Sequence, residues 1–186
     1  MPSPAKTELR CRMRTQLARL APADMAASSE SIRTTIPSLP RWQEARTIAA
    51  YASLPGEPDL QPLRWAGFRT VLLPLVEGEH LVFHAIEDAA HLRPGSFGVL
   101  EPDPANCTPV DPSAADIIFV PGLAFTADGA RLGRGRGFYD RLLAALPPSV
   151  LRIGICFAEQ ILPELPDEPH DQQVDIVIAP SGGTRR

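Results

Sequence analysis

"DIIFVPG", residues 116–122, is an almost wholly apolar run closed by proline and glycine. A strand reads this way when both faces of its sheet are covered, the situation of parallel sheets flanked by helices. Working outward, "TIAAYA" (47–52), "RTVLLPLV" (69–76), "HLVFHAI" (80–86), "LRIGICF" (151–157) and "VDIVIAP" (174–180) read as further strands. Between and before them, Leu9, Met13, Leu17 and Leu20 recur at helical spacing within 5–20, and helices are expected near 25–36, 59–66 and 138–146. Strands alternating with helices predict an α/β domain with a largely parallel sheet. A chain of 186 residues suits one domain, expected over 1–180, with "SGGTRR" (181–186) as a loose tail.

Composition narrows the function. Apolar residues make up 44% and charged residues 22%, ordinary values for a water-soluble domain. The formal net charge of −4 argues against a general nucleic-acid or membrane-surface binder. No apolar run approaches a membrane span, and "MPSPAKTELRCRMR" lacks the apolar core of a secretory leader. Cys11, Cys107 and Cys156 are odd in number and far apart, giving neither a disulfide framework nor a zinc pattern. A cytoplasmic, monomeric protein is the expectation.

Beyond the strand 116–122 comes "RLGRGRGFYDR" (131–141), four arginines and three glycines in an acidic chain. Loops at the carboxyl ends of strands are where open α/β sheets bind ligands. Successive backbone N–H groups of a glycine-rich turn, the N-terminus of the following helix and arginine side chains together suit a phosphorylated anion. The stretch lacks the G-K-[ST] of a P-loop, and "GRGRG" does not match G-x-G-x-x-G. Arg136, between two glycines, is expected to point at whatever the loop encloses. Asp140, in the first helical turn, is placed to hold a divalent cation beside phosphates. Elsewhere, Lys6, Arg10 and Arg14 share one helix face, and "DEPHDQQVD" offers Asp167, Glu168, Asp171 and Asp175 as hard-cation ligands or as a plain acidic loop. His80 and His84 fall on a strand without the accompanying glutamate of a zinc pair, and read as ordinary histidines.

The order of these pieces resembles the 5-formyltetrahydrofolate cyclo-ligase family. "KTELR" (6–10), "SLPGEPD" (53–59), "GSFGVLEP" (95–102), "DIIFVPGLAFTADGARLGRGRGFYDR" (116–141) and "EQILPELPDEPHDQQVD" (159–175) carry the resemblance across nearly the whole chain. It implies a single three-layer α/β domain of the ribose-phosphate isomerase/CoA-transferase-like kind. It also implies ATP-dependent closure of 5-formyltetrahydrofolate to 5,10-methenyltetrahydrofolate with Mg²⁺ as cofactor, and neither nucleic-acid nor membrane partners.

By motif match, Lys6, Arg10, Arg131, Gly133, Arg134, Gly135, Arg136, Gly137, Phe138 and Tyr139 meet ATP. Ala52, Glu57, Arg134, Gly135, Gly137 and Phe138 face the folate, and Asp140 and Asp171 hold the metal. Arg134, Arg136 and Tyr139 act on the transferring group. Two positions depart from the family pattern: Leu60 stands where members often have threonine, and Arg136 where many have glycine or lysine. Asp59 is placed to cap the next helix in that threonine's stead. Two other readings use the same arginines. One is a nucleotide-sensing module without turnover, which needs no folate carboxylate; the other is an RNA-binding patch of Arg131, Arg134, Arg136 and Arg141, which the acidic total opposes.

Overall fold

The computed structural model describes residues 3–65, 69–95 and 99–180. Helices α1 (Pro4–Leu17) and α2 (Pro22–Thr35) come first, each with proline in its opening turn, where a missing N–H costs nothing. The short α3 (Pro40–Glu44) follows. Six strands then form one sheet: β1 (Thr47–Ala49), β2 (Thr70–Glu77), β3 (His80–Ile86), β6 (Ile117–Pro121), β9 (Leu151–Ile155) and β10 (Ile176–Ile178). Their order is β10-β9-β6-β1-β2-β3. Every pairing is parallel except the β2–β3 hairpin. The six apolar runs of the sequence are these six strands, so the α/β expectation with a largely parallel sheet holds.

Alternation along each strand divides the core in two. Ile48, Leu73, Ile117, Phe119, Ile153 and Ile155 face α2 and α3, meeting Ile32 and Trp42. Ala49, Leu72, Ile118 and Val120 face the opposite way, toward Leu143 and Leu146 at the end of α4 (Phe138–Ala145). Helices, sheet and helix make three layers. A third cluster joins Leu9, Met13 and Leu17 of α1 to Leu123, Ala124, Leu132 and Phe157, fixing α1 over the carboxyl end of the sheet. The apolar spacing read from the sequence for α1 is this contact.

Two small hairpins escape sequence reading: β4 (Leu92–Pro94) with β5 (Leu100–Pro102), and β7 (Ala124–Phe125) with β8 (Arg131–Leu132). Strands of two or three residues are too short to show a period. The segment expected to be helical near 59–66 is a 3-10 turn over Gln61–Trp65. Asp59 accepts the Gln61 N–H at 2.8 Å, so the capping role expected of it is present. Leu60 lies in the core beside α2, which accounts for an apolar residue at that position. The tail 181–186 and part of "GSFGVLEP" lie outside the described residues.

Chain order places a functional edge. From β1 the chain moves to β2 on one side, whereas from β6 it moves to β9 and β10 on the other. Adjacent β1 and β6 therefore form the topological switch point, where loops diverge and leave a crevice. Beneath it, Phe125 of β7 packs on Gly154 of β9 so closely that a Cβ there would lie 2.6 Å from the Phe125 ring. Gly154→Ala is expected to destabilise the fold by about 1–3 kcal/mol, as overpacking does. A lowered denaturant midpoint at unchanged slope checks this.

Candidate active site

The loop after β8 is shaped at both ends by charge pairs. Arg131 of β8 is buried, and its guanidinium donates to Asp140 Oδ1 at 2.5 Å. It also lies 5.9 Å from the Tyr139 ring. This pair joins the strand entering the loop to the first turn of α4. The sequence treats 131–137 as one ligand-facing loop; in the structure Arg131 and Leu132 belong to a strand, and the open loop begins at Gly133. Arg131 is thus a buried strut, and it cannot belong to a surface arginine patch for RNA. Gly135 (φ 107°) and Gly137 (φ 67°) take left-handed conformations, and Gly137 opens α4 without any side-chain cap. The first N–H groups of α4 accordingly keep their donors for a ligand.

Arg136 does not point freely into the loop as expected. Its guanidinium sits 4.7 Å from the Phe138 ring centroid, and Arg141 lies 5.6 Å from the same ring. The aromatic ring and the positive charges attract each other, which gives Arg136 a resting place at the exposed lip. Arg141 also donates to the Glu79 carbonyl at 2.5 Å and to the Arg136 carbonyl at 3.2 Å, tying the loop to the β2–β3 turn.

The basic face of α1 lies along this loop. Arg10 Nε donates to the Gly133 carbonyl at 3.0 Å, and Arg14 Nη2 to the Arg134 carbonyl at 3.0 Å. Lys6 is buried, 2% exposed, between the carboxylates of Asp171 and Glu168. Its ammonium bonds to Asp171 Oδ2 and, at 2.8 Å, to Glu168 Oε2. Burial opposes its charge, but the bonds and attraction of the two carboxylates prevail and raise its pKa. Asp171, although partly desolvated, is held below the usual range by Lys6 and the Glu168 N–H, and Glu168 is lowered chiefly by Lys6. Among the described residues, Glu168, His170 and Asp171 are the one group of three or more side chains whose ligand atoms gather within 4.8 Å. Asp140 is not in that group. Each aspartate has a carboxylate oxygen taken by a protein cation, and the other oxygen makes no hydrogen bond to the described residues, although His170 Nε2 stands 4.0 Å from Asp171 Oδ1.

Opposite stands the loop that follows β1. Leu54, Pro55, Gly56 and Glu57 make a tight turn, closed by Glu57 N–H on the Leu54 carbonyl at 2.9 Å. Proline and glycine (φ 84°) supply its two central positions. The turn is braced by Tyr51 Oη and Ser53 Oγ, both donating to the Pro58 carbonyl at 2.9 Å. Glu57 Oε2 accepts the Leu54 N–H at 3.0 Å, while Oε1 accepts the Arg134 Nε–H at 2.8 Å and lies in ion-pair contact with Nη2, also at 2.8 Å. Burial pushes the Glu57 carboxyl up; Arg134 and the Leu54 N–H offset only part of that. Tyr51 and Tyr139 are raised well above the usual phenol range, first by burial and then by the nearby Glu57 charge, so both remain neutral donors. Beside Glu57 opens a cleft of about 400 Å³ lined by Met25, Ser29, Arg33, Leu54, Glu57 and Val99, among others. One crevice thus holds a cationic, N–H-rich loop on one wall and a buried carboxylate on the other.

A sequence profile described as the 5-formyltetrahydrofolate cyclo-ligase family matches residues 2–180. The chain belongs to the 5-formyltetrahydrofolate cyclo-ligase family. It is similar to the 5-formyltetrahydrofolate cyclo-ligase of Mycolicibacterium smegmatis, 36% identical over 147 residues that cover 74% of this chain and 75% of the relative. A probable 5-formyltetrahydrofolate cyclo-ligase of Schizosaccharomyces pombe is 27% identical over 193 residues, 94% of this chain and 95% of that one. Among solved structures, the 5,10-methenyltetrahydrofolate synthetase of Aquifex aeolicus superposes with a TM-score of 0.82 at 33% identity, covering 92% of this chain and 88% of its own. A synthetase from Mycoplasma pneumoniae, 21% identical, shares the fold with a TM-score of 0.76.

As a cyclo-ligase family member the chain is an enzyme, and the crevice at the switch point is its candidate active site. The structure gathers Lys6, Arg10, Gly133, Arg134, Gly135 and Asp171 around or beside one loop, and joins Glu57 to it. Ala52 lies half-buried between β1 and the Glu57 turn. Sequence reasoning gave no role to Arg33 or Tyr51, whose contacts join separate segments. It named Arg14 only within the i, i+4, i+8 stripe, Glu168 only as one of four candidate cation ligands, and Arg141 only within the RNA-patch alternative; the contacts that each of them makes were not foreseen.

Lys6→Met is expected to lower stability at neutral pH, because it leaves the neighbouring Glu168 and Asp171 carboxylates without the cation that holds them together. Both carboxyls are lowered by Lys6, so the pair's stabilisation is present above their unfolded pKa and lost as pH falls through the folded values. Stability measured against pH should therefore show wild type and variant converging in acid.

Proposed function

We propose that this enzyme uses ATP to cyclise 5-formyltetrahydrofolate to 5,10-methenyltetrahydrofolate, releasing ADP and phosphate. The observation that carries the reading is the Glu57–Arg134 pair, which brings the phosphate-type loop and the carboxylate of the cleft to 2.8 Å. Two substrates of different chemistry, an anionic triphosphate and a donor-rich reduced pterin, are served by the two walls. The folate lies in the cleft with its N–H donors toward Glu57, and the triphosphate lies against the N-terminus of α4, Arg10, Arg134 and Arg136.

The chemistry asks for positioning more than for reactive groups. The formyl oxygen is a weak nucleophile, so holding it in line with the γ-phosphorus is the first contribution. The γ-phosphoryl group passes to that oxygen and its bond to the ADP oxygen breaks. The exocyclic nitrogen then attacks the activated carbon and loses its proton. Phosphate departs with the former formyl oxygen, closing the ring. Arg134 and Arg136 stabilise the charge of the transferring group, with N–H groups of the loop and of α4. Tyr139, half-buried beside Arg131 and held neutral, packs on that wall and keeps its phenol O–H to donate toward the ligands.

Mg²⁺ fits the oxygen ligands present. Asp140 and Asp171 are the residues that would hold it, each through the carboxylate oxygen not hydrogen-bonded to the described residues. Bound with ATP, the ion would neutralise phosphate charge. Lys6, already charge-matched to Asp171 and Glu168, orients that carboxylate. A cytoplasmic setting accords with three free cysteines, of which Cys156 is buried and its thiol pushed up to about 12. Among the described residues no helix is long and apolar enough to cross a membrane.

Incubation with MgATP and 5-formyltetrahydrofolate should yield one ADP per methenyl product, read from methenyl-folate absorbance and coupled ADP assay; full-rate cyclisation without ATP contradicts the proposal. Glu57→Gln should raise KM for the folate far more than KM for ATP, because amide donors would face pterin donors. The raised Glu57 pKa predicts that folate binding weakens on acidification from a pH above the ordinary glutamate range, and that the Gln variant lacks this acid limb. Arg136→Ala should lower turnover by roughly ten- to a thousand-fold, the scale for one charge-stabilising donor. Lysine at that position should restore much of it in the same steady-state assay.

A further inference from the structure

Arg134 is held in two different ways. Its backbone is fixed: the Gly133 carbonyl is bonded by Arg10 and the Arg134 carbonyl by Arg14, both at 3.0 Å. Its side chain is not confined, being 39% exposed, while its partner Glu57 is only 5% exposed. The pair is therefore asymmetric. The guanidinium can swing from Glu57 to an anion on the loop, but the carboxylate cannot follow it. Without Arg134, the Leu54 N–H is the remaining hydrogen-bond donor to Glu57 among the described residues. A buried carboxylate left with one donor is costly, and any ligand bringing N–H donors into the cleft removes that cost. In the other direction, a ligand whose donors satisfy Glu57 frees Arg134 for phosphate.

We propose that Arg134, besides its place on the phosphate side, couples the two substrate sites, so that a triphosphate on the glycine loop and a donor-rich pterin at Glu57 each strengthen the other's binding through exchange of the Glu57–Arg134 pair. The inference rests on the functional reading above for the identity of the two ligands. It gives the coupling a sign, positive, and linkage requires the same factor in both directions. The raised pKa of Glu57 agrees with a carboxylate that burial disfavours even with Arg134 in place.

The test is calorimetric titration of 5-formyltetrahydrofolate at pH 8, with and without Mg²⁺ and an ATP analogue bearing a β,γ-imido bridge. Wild type should bind the folate at least about fivefold more tightly with the analogue, the lower bound of ordinary allosteric coupling. In Arg134→Ala the ratio should fall to about one, and folate affinity without nucleotide should match or exceed that of wild type, since no guanidinium has to be displaced. An arginine that merely binds phosphate would lose nucleotide affinity and leave the nucleotide-free folate affinity and the coupling factor unmoved. Glu57→Gln provides a second variant, in which the coupling should also vanish. Coupling that persists in either variant, or wild-type binding that is uncoupled or antagonistic, overturns this inference alone. Failure of wild type to bind the folate under any condition overturns the functional reading as well.

Discussion

A stretch with glycines at 133, 135 and 137 has little shape of its own, because each glycine loses much conformational freedom when ordered. The bond between Arg131 and Asp140 supplies what the backbone lacks. It ties the strand before the loop to the helix after it, from inside the protein. Everything placed on the loop depends on that closure: the direction of α4, the exposure of its first N–H groups and the reach of Arg134. Arg10, Arg14 and Arg141 then secure the outer side through backbone carbonyls, leaving the crevice side free.

Cations in this acidic protein are held in two ways. Lys6 is matched by Glu168 and Asp171, Arg131 by Asp140 and Arg134 by Glu57. Arg10 and Arg136 have no carboxylate within salt-bridge distance among the described residues; a carbonyl and an aromatic ring hold them instead. Cations of the first kind cost the resting protein little, since their charge is already balanced. Those of the second kind supply uncompensated positive potential at the lip.

The sheet was legible because burial on both faces writes itself as unbroken apolar runs, as in 116–122 and 151–157. Helix α1 was legible because Leu9, Met13 and Leu17 keep helical spacing against one neighbour. The hairpin β7–β8 was not, and with it went the true position of Arg131, read as a ligand-facing group and found as a buried strut. The resting place of Arg136 was hidden for a related reason: glycine neighbours say that a side chain is unconfined, but not that an aromatic ring two residues on will attract it. Glu57 and Arg134 could each be named from motifs. Their contact spans 77 positions, and nothing local to either residue announces it.

The docking of α1 has a consequence in time. Its side chains reach Gly133, Arg134, Glu168 and Asp171 across 120 to 165 positions of chain. The helix is synthesised well before those partners exist, and contacts of such long range are the slow ones to form. Arg10 and Arg14 gain their partners once residues 133 and 134 have emerged from the ribosome, whereas Lys6 must wait for Glu168 and Asp171. The basic face of α1 is therefore closed in two stages, the buried ammonium last.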